Sequence, residues 1–489
     1  MPYLNVSAAA PEIALLVTAS LLLIACVLPS VTDRIGIEKL ALLALVPPLV
    51  ATLIQFDTPT QYAFTGMYVA DGLSHLLKLF CYISVAVAIV YARGYATDRG
   101  MPRGELYTLA LFALLGQMVM ISSNHLLVVY LGLELMSLSL YALAALRRDW
   151  TLGSEAAIKY FVLGALSSGF LLYGMSMIYG GTGTLSLPDI ARIVIDGHAN
   201  DTVMVFGVVF LVAGLAFKFG AVPFHMWVPD VYHGTPTATT ILIATGPKLA
   251  AFAITFRVLA EGMLGVAHDW QQMLMVLAVL SLIVGNVVGI AQSNLKRMLA
   301  YSTIGQIGFA LLGLLSGVVD GDSSPAADAY GAAMFYMVTY VLTTLGTFGL
   351  IQLLARPGFE SEQIDDLRGL GKRSPWMALM MMIMMFSLAG VPPTVGFYAK
   401  LAVLGAVVHA GHVWLAVFAV LASVVGAYYY LRVVKVMFFD EAIDTAPIEP
   451  ARDARAVLAV NGMAVLVLGI VPGPLLAACA LAVRQALGG

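Results

Sequence analysis

Residues 203–229 read VMVFGVVFLVAGLAFKFGAVPFHMWVP. The stretch begins as an apolar run long enough to enter a bilayer. Near its far end it places Lys218, Gly220, Pro223, His225 and Pro229. Proline removes a backbone donor, and the carbonyls it frees need another partner in hydrocarbon. A lysine inside a membrane span costs about 2.5–3.5 kcal/mol even on the lenient insertion scale. A broken helix that carries a buried cation marks an ion pathway.

The composition around this stretch supports a membrane setting. Of 489 residues, 61% are hydrophobic and 11% charged, against about 25% charged in soluble domains. The chain is therefore read as an all-α polytopic membrane protein. A net charge of −3 says little about partners, and no basic run suggests nucleic acid. Cys26, Cys81 and Cys479 lie in apolar runs without CxxC spacing, which argues against a disulfide, a metal site or a cluster.

Windows of about 20 apolar residues predict fourteen spans. They are 11–32, 38–56, 72–93, 105–123, 125–146, 155–179, 202–231, 236–259, 270–292, 298–318, 328–355, 375–408, 413–434 and 456–482. The loops on one side then hold 17 of the 25 basic residues, from Arg34 and Lys39 to Arg452 and Arg455. The other side holds Arg192, Arg257 and Arg484. The positive-inside rule puts both termini on the outer (periplasmic) side.

Five basic residues remain, and all are lysines inside spans: Lys78, Lys159, Lys218, Lys248 and Lys400. Arginine stays charged, whereas a desolvated lysine can release its proton. The bias points to proton handling. A second break, AGVPPTVG at 389–396, stands four residues before Lys400. It lies five spans after the first, an odd offset, so two units of opposite orientation are expected. The division is 1–104, a three-helix segment; 105–260 and 270–434, two inverted five-helix repeats; and 435–489, a loop with the last span.

Glu134 stands nine residues past His125, about 14 Å into its span, and is either a structural ion-pair member or the counter-ion of Lys218. A nearby carboxylate holds a proton on an amine and burial drives it off, so their relative motion would load and unload one proton. Lys248, after Pro247 in a span expected to kink, would continue the relay. His225 is either part of that relay or a hydrogen-bonded core histidine. Lys400 reads as the second unit's counterpart to Lys218, where Ser302 and Gln306 stand in place of an acid. Lys159 forms an i, i+4 pair with Glu155 or acts beside Glu134. Lys78 shares a helix face with Asp71 and His75 and reads as a structural polar cluster. The GGTGT loop at 180–184 lacks a strand before it and is no nucleotide site.

FKFGAVPFHMWVPDVYHGTPTATT, GPKLAAF, NLKRMLAYSTIGQIG and FSLAGVPPTVGFYAKL resemble the proton-translocating antiporter-like subunits of respiratory complex I and Mrp antiporters, over at least residues 105–434. Lysine at 400, PDVYHGTPT and a chain ending soon after fourteen spans resemble the shorter members. The resemblance implies that Glu134 and Lys218 are paired half-channel residues, Lys248 the central connector and Lys400 the second half-channel lysine. It carries over His225 and Lys159 as further relay groups. It also implies that NADH, FMN, Fe-S clusters and quinone are bound by other subunits, with no cofactor or metal on this chain. The partners it implies are membrane lipids, another antiporter-like subunit and the small subunits toward the quinone module. The function expected is coupling NADH-to-quinone electron transfer to proton translocation. A cation/proton antiporter subunit and a purely structural scaffold are the alternatives.

Overall fold

The computed structural model describes residues 4–28, 36–319, 321–443, 448 and 451–488; Arg34 lies outside them. Helices α1 (Ala10–Cys26), α2 (Ile37–Gln55) and α3 (Gly72–Asp98) form the N-terminal segment. Next come α4 (Arg103–Ile121), α5 (Leu126–Ala144), α6 (Thr151–Thr182) and the short α7 (Leu187–Ile195). The first broken element is α8 (Asp201–Phe219) with α9 (Trp227–Gly234), followed by α10 (Thr237–Ala244) and α11 (Gly246–Thr255). Then follow α12 (Ala267–Ile290), α13 (Leu295–Leu315) and α14 (Ala326–Leu354). The second broken element is α15 (Pro375–Ala389) with α16 (Val395–His409), before α17 (Val413–Phe439), α18 (Arg452–Ile470) and α19 (Gly473–Ala486).

Thirteen helices among the described residues are long and apolar enough to cross a membrane. Where the twelfth span was expected stand the two shorter helices α15 and α16. The span expected at 456–482 divides at Val471-Pro472 into α18 and α19, because proline cannot donate within a helix interior. A small antiparallel hairpin, β1 (Gln61–Ala63) with β2 (Tyr68–Ala70), precedes α3; its strands are too short to show in the apolar pattern. Residues 237–260 are wholly buried, and α13 and α14 nearly so, whereas the first helix is only 33% buried. The core is thus α10, α11, α13 and α14, with Lys248 on α11.

Between helices in lipid, close approach has to replace the hydrophobic effect, and small residues permit it. A Cβ at Gly116 of α4 would stand 2.7 Å from the Gly132 carbonyl of α5, and one at Gly132 would stand 2.8 Å from the Met120 amide. That contact fixes α5, the helix of Glu134. Thr245, at φ −114°, ψ −92°, separates α10 from α11. The kink expected at Pro247 therefore falls two residues before it, and Pro247 starts the new helix, where its missing donor costs nothing.

Candidate functional site

The two breaks share one local design. Gly220 (φ 80°) ends α8, and the Gly220 and Ala221 amides both bond the Ala216 carbonyl. Gly390 (φ 84°) ends α15, and the Gly390 and Val391 amides both bond the Phe386 carbonyl. Each turn needs the left-handed conformation that glycine adopts without strain. Each contains a cis X-Pro bond, at Val222-Pro223 and Pro392-Pro393.

Ending a helix in the membrane leaves carbonyls without partners, and a lysine takes them in both places. Lys248 Nζ donates to the carbonyls of Lys218 (3.1 Å) and Phe219 (2.6 Å). Lys400 Nζ donates to those of Leu388 (3.0 Å) and Ala389 (3.1 Å), and to Ser423 Oγ at 2.8 Å. These are the two carbonyls before the glycine in each unit. By its carbonyl partners Lys400 resembles Lys248, while by its place in a broken element it stands in the second unit where Lys218 stands in the first. Lys218 lies before its break and Lys400 after, so their amines reach different places.

Lys218 Nζ donates to Ser137 Oγ at 3.0 Å, one turn along α5 from Glu134. Glu134 itself accepts from Ser168 Oγ of α6 at 2.5 Å. No ion pair within 4 Å joins Glu134 to Lys218; a serine stands in the place expected for the carboxylate. Lys248 also lies 5.1 Å from the centre of the Trp227 ring, and Trp227 Nε1 donates to the Phe217 carbonyl. That indole, rather than His225, is the side chain beside Lys248. His225 is partly exposed in the first break, and its buried Nδ1 has no partner.

In the second unit Gln306 Nε2 donates to Leu388 O (2.9 Å), the carbonyl Lys400 also uses, and to the Tyr430 hydroxyl. Ser302 meets the same hydroxyl at 2.5 Å, and Tyr336 donates to Gln306 Oε1. The two residues matched to Glu134 by spacing thus join a neutral network next to Lys400.

Lys159 pairs with Glu155 (2.7 Å) and with Asp230 (2.8 Å), which Arg297 of α13 also holds at 2.8 Å. Its partners lie at the end of α6 near the basic loops. Lys78 bonds Glu12 of α1 (2.6 Å) and the Tyr68 hydroxyl rather than Asp71. Asp71 receives Arg257, which also reaches Glu261 and the Ile121 carbonyl. Arg257, expected in a loop, is buried in the core. Lys296 is buried against Glu362 at 2.9 Å.

Ser137, Ser168 and Ser423 and the acids Glu12, Asp230 and Glu362 are not legible in the sequence. A hydroxyl in an apolar helix gives no periodic signal, and these acids stand near span ends, where charge is ordinary.

Residues 123–426 match the family model described as NADH:quinone oxidoreductase/Mrp antiporter, TM. NADH-quinone oxidoreductase subunit N of Herminiimonas arsenicoxydans is 56% identical, with all of both chains covered. A chain of respiratory complex I from Thermus thermophilus superposes with TM-score 0.80 at 33% identity, over 96% of this chain and 100% of that one. A chain of the Mrp complex from Dietzia sp. DQ12-45-1b has the same fold, with TM-score 0.82 at 21% identity and 97% of each covered.

Proposed function

The chain belongs to the NADH:quinone oxidoreductase/Mrp antiporter transmembrane family, and on that premise we propose the path by which it moves protons. It is a membrane-arm subunit of a proton-translocating bacterial complex, homologous to the subunit N proteins, and the redox cofactors reside in other subunits. The described residues present no group of three or more side chains able to hold a metal.

The proposed relay runs from Glu134 to Lys218, then Lys248, then Lys400. One observation carries it. Six lysines and arginines are buried among the described residues: Lys78, Lys218, Lys248, Arg257, Lys296 and Lys400. Three of them, Lys78, Arg257 and Lys296, are bound to carboxylates. The other three, Lys218, Lys248 and Lys400, are bound only to hydroxyl and carbonyl oxygens. A carboxylate pins a proton on its lysine, whereas a neutral oxygen can accept from the charged or the neutral amine. These three are thus the cations free to titrate. His225 and Lys159 are auxiliary groups in this reading, Lys159 on the side where the basic loops gather.

The likeness of the two breaks supports two inverted units, 105–260 and 270–434, flanked by 1–104 and 435–489. The asymmetry of basic residues supports periplasmic termini. The neighbours in this reading are another antiporter-like subunit and the small subunits toward the quinone module.

Lys218→Ala and Glu134→Ala test the relay in assembled complexes, with quinone reduction and dye-reported proton uptake measured in the same vesicles. Both activities fall together if the relay is used. Normal pumping by complexes of normal composition would sink it.

A further inference from the structure

Among the buried polar side chains that this relay does not use, three stand close to one helix: Tyr91 of α3, Gln352 of α14 itself and Asn461 of α18. They are 1%, 3% and 6% exposed. The Tyr91 hydroxyl, both amide atoms of Gln352 and Asn461 Oδ1 have no hydrogen-bond partner among the described residues. Burying such groups unsatisfied is costly, so three together call for a shared partner.

Their placement gives them one. Gly346 lies against the Met384 side chain and Asn461 Oδ1, and Gly349 against the Tyr91 ring. Positions 339, 343, 346, 349 and 352 are spaced by three and four residues, so they follow one slowly turning stripe of α14. At one end a cleft of about 360 Å³ is lined by Tyr91, Arg93, Gln352 and Asp453, among the basic-loop segments. At the other end a cavity of about 10 Å³, room for one water, is lined by Gln306, Thr339, Thr343 and Lys400. Nine residues separate Gln352 from Thr343, about 13 Å along the helix. The stripe thus runs from an open cleft to the chamber of Lys400, with the unpartnered oxygen of Asn461 midway.

We propose that this stripe of α14 is a water-lined access route joining the basic-loop face to Lys400. Water is the ligand that fits both the 10 Å³ chamber and the mixed donors and acceptors of a tyrosine hydroxyl and two amides. Lys400 then exchanges protons with the basic-loop side directly, without each proton passing first through Lys218 and Lys248. The proposal rests on Lys400 being a proton carrier.

Silver ion, small enough to follow water, tests the route in the intact complex. Cysteines are introduced one at a time as Gln352→Cys, Asn461→Cys and Thr343→Cys, and protection from alkylation after denaturation is read site by site. Cys81 and Cys479, both buried, serve as internal references. All three new thiols are expected to react from the basic-loop side, in the order given, and well before the references. Asn461→Leu should slow the Thr343→Cys reaction about tenfold and leave Gln352→Cys unchanged; Asn461→Ser should restore it. A Thr343→Cys thiol no faster than Cys81, one reached from the opposite face, or one indifferent to Asn461→Leu overturns the route. Normal pumping by Lys400→Ala would instead remove the carrier role of Lys400 and leave the silver pattern as it is.

Discussion

Lys78 and Lys248 are both wholly buried lysines in membrane helices, and they are held in opposite ways. Lys78 sits against Glu12 and the Tyr68 hydroxyl, which itself bonds Glu12. Lys248 sits against two main-chain carbonyls at a helix end. The same contrast separates Arg257 and Lys296 from Lys218 and Lys400. Burial alone therefore does not mark a working cation. In the proposed relay the distinction is whether the partner is an anion, which locks the charge, or a neutral oxygen, which tolerates both states.

The largest effect should come from breaking a locked pair. Arg257→Ala leaves Asp71 and Glu261 buried without their cation, at a cost of about 3–5 kcal/mol. The complex should accumulate poorly and melt early, as native gels and thermal denaturation would read. Normal accumulation would remove the locking role of this pair.

Arginine substitutions sharpen the comparison next, since arginine keeps its proton. Lys248→Arg should lower coupled quinone reduction about tenfold or more, that is by at least about 1.4 kcal/mol of barrier, in complexes that still assemble. Lys78→Arg should change turnover by less than about twofold. Equal losses at the two sites would erase the distinction.

Ser137→Ala removes one neutral partner from Lys218, an interaction worth about 0.5–1.5 kcal/mol. Turnover should fall a few-fold, less than for Lys218→Ala, with assembly unchanged. A loss as large as that of Lys218→Ala would mean that the serine does more than hold the amine.

The smallest effect lies in the loops, at Glu360. Burial works to raise its affinity for a proton, but hydrogen bonds from Arg99 and Tyr95 with the Arg99 charge prevail, and its pKa falls below the ordinary 4.5. A lowered folded pKa contributes stability that is present above 4.5 and disappears as the pH falls through the folded value. Wild type should thus melt slightly above Glu360→Gln at neutral pH, and the gap should close in acid. A gap that widens below pH 4.5 would reverse the sign of this contribution.

The two breaks were readable because proline and glycine disrupt an apolar run locally, and Lys218, Lys248 and Lys400 because a lysine in hydrocarbon stands out within any window. The partners of those lysines were not readable. Ser137 and Ser423 look like any small residue of an apolar helix, yet Ser137 takes the place where a carboxylate was expected for Lys218, and Ser423 completes the partners of Lys400. Arg257 was not readable either, because a basic residue near a span end resembles a loop residue, and its partner Asp71 stands 186 positions earlier.

The sequence by itself determined the membrane setting, the all-α class, the broken helices and the identity of the embedded lysines. Each follows from composition and from what a single segment can do in a bilayer. Only the tertiary structure decided which buried cations meet a carboxylate and which meet hydroxyl or carbonyl oxygens. That depends on whether an acid or a bare carbonyl from a distant segment meets each amine. Lys248 finds its carbonyls thirty residues back, at a helix end it does not belong to. Such meetings are set by helix packing, which no local pattern encodes.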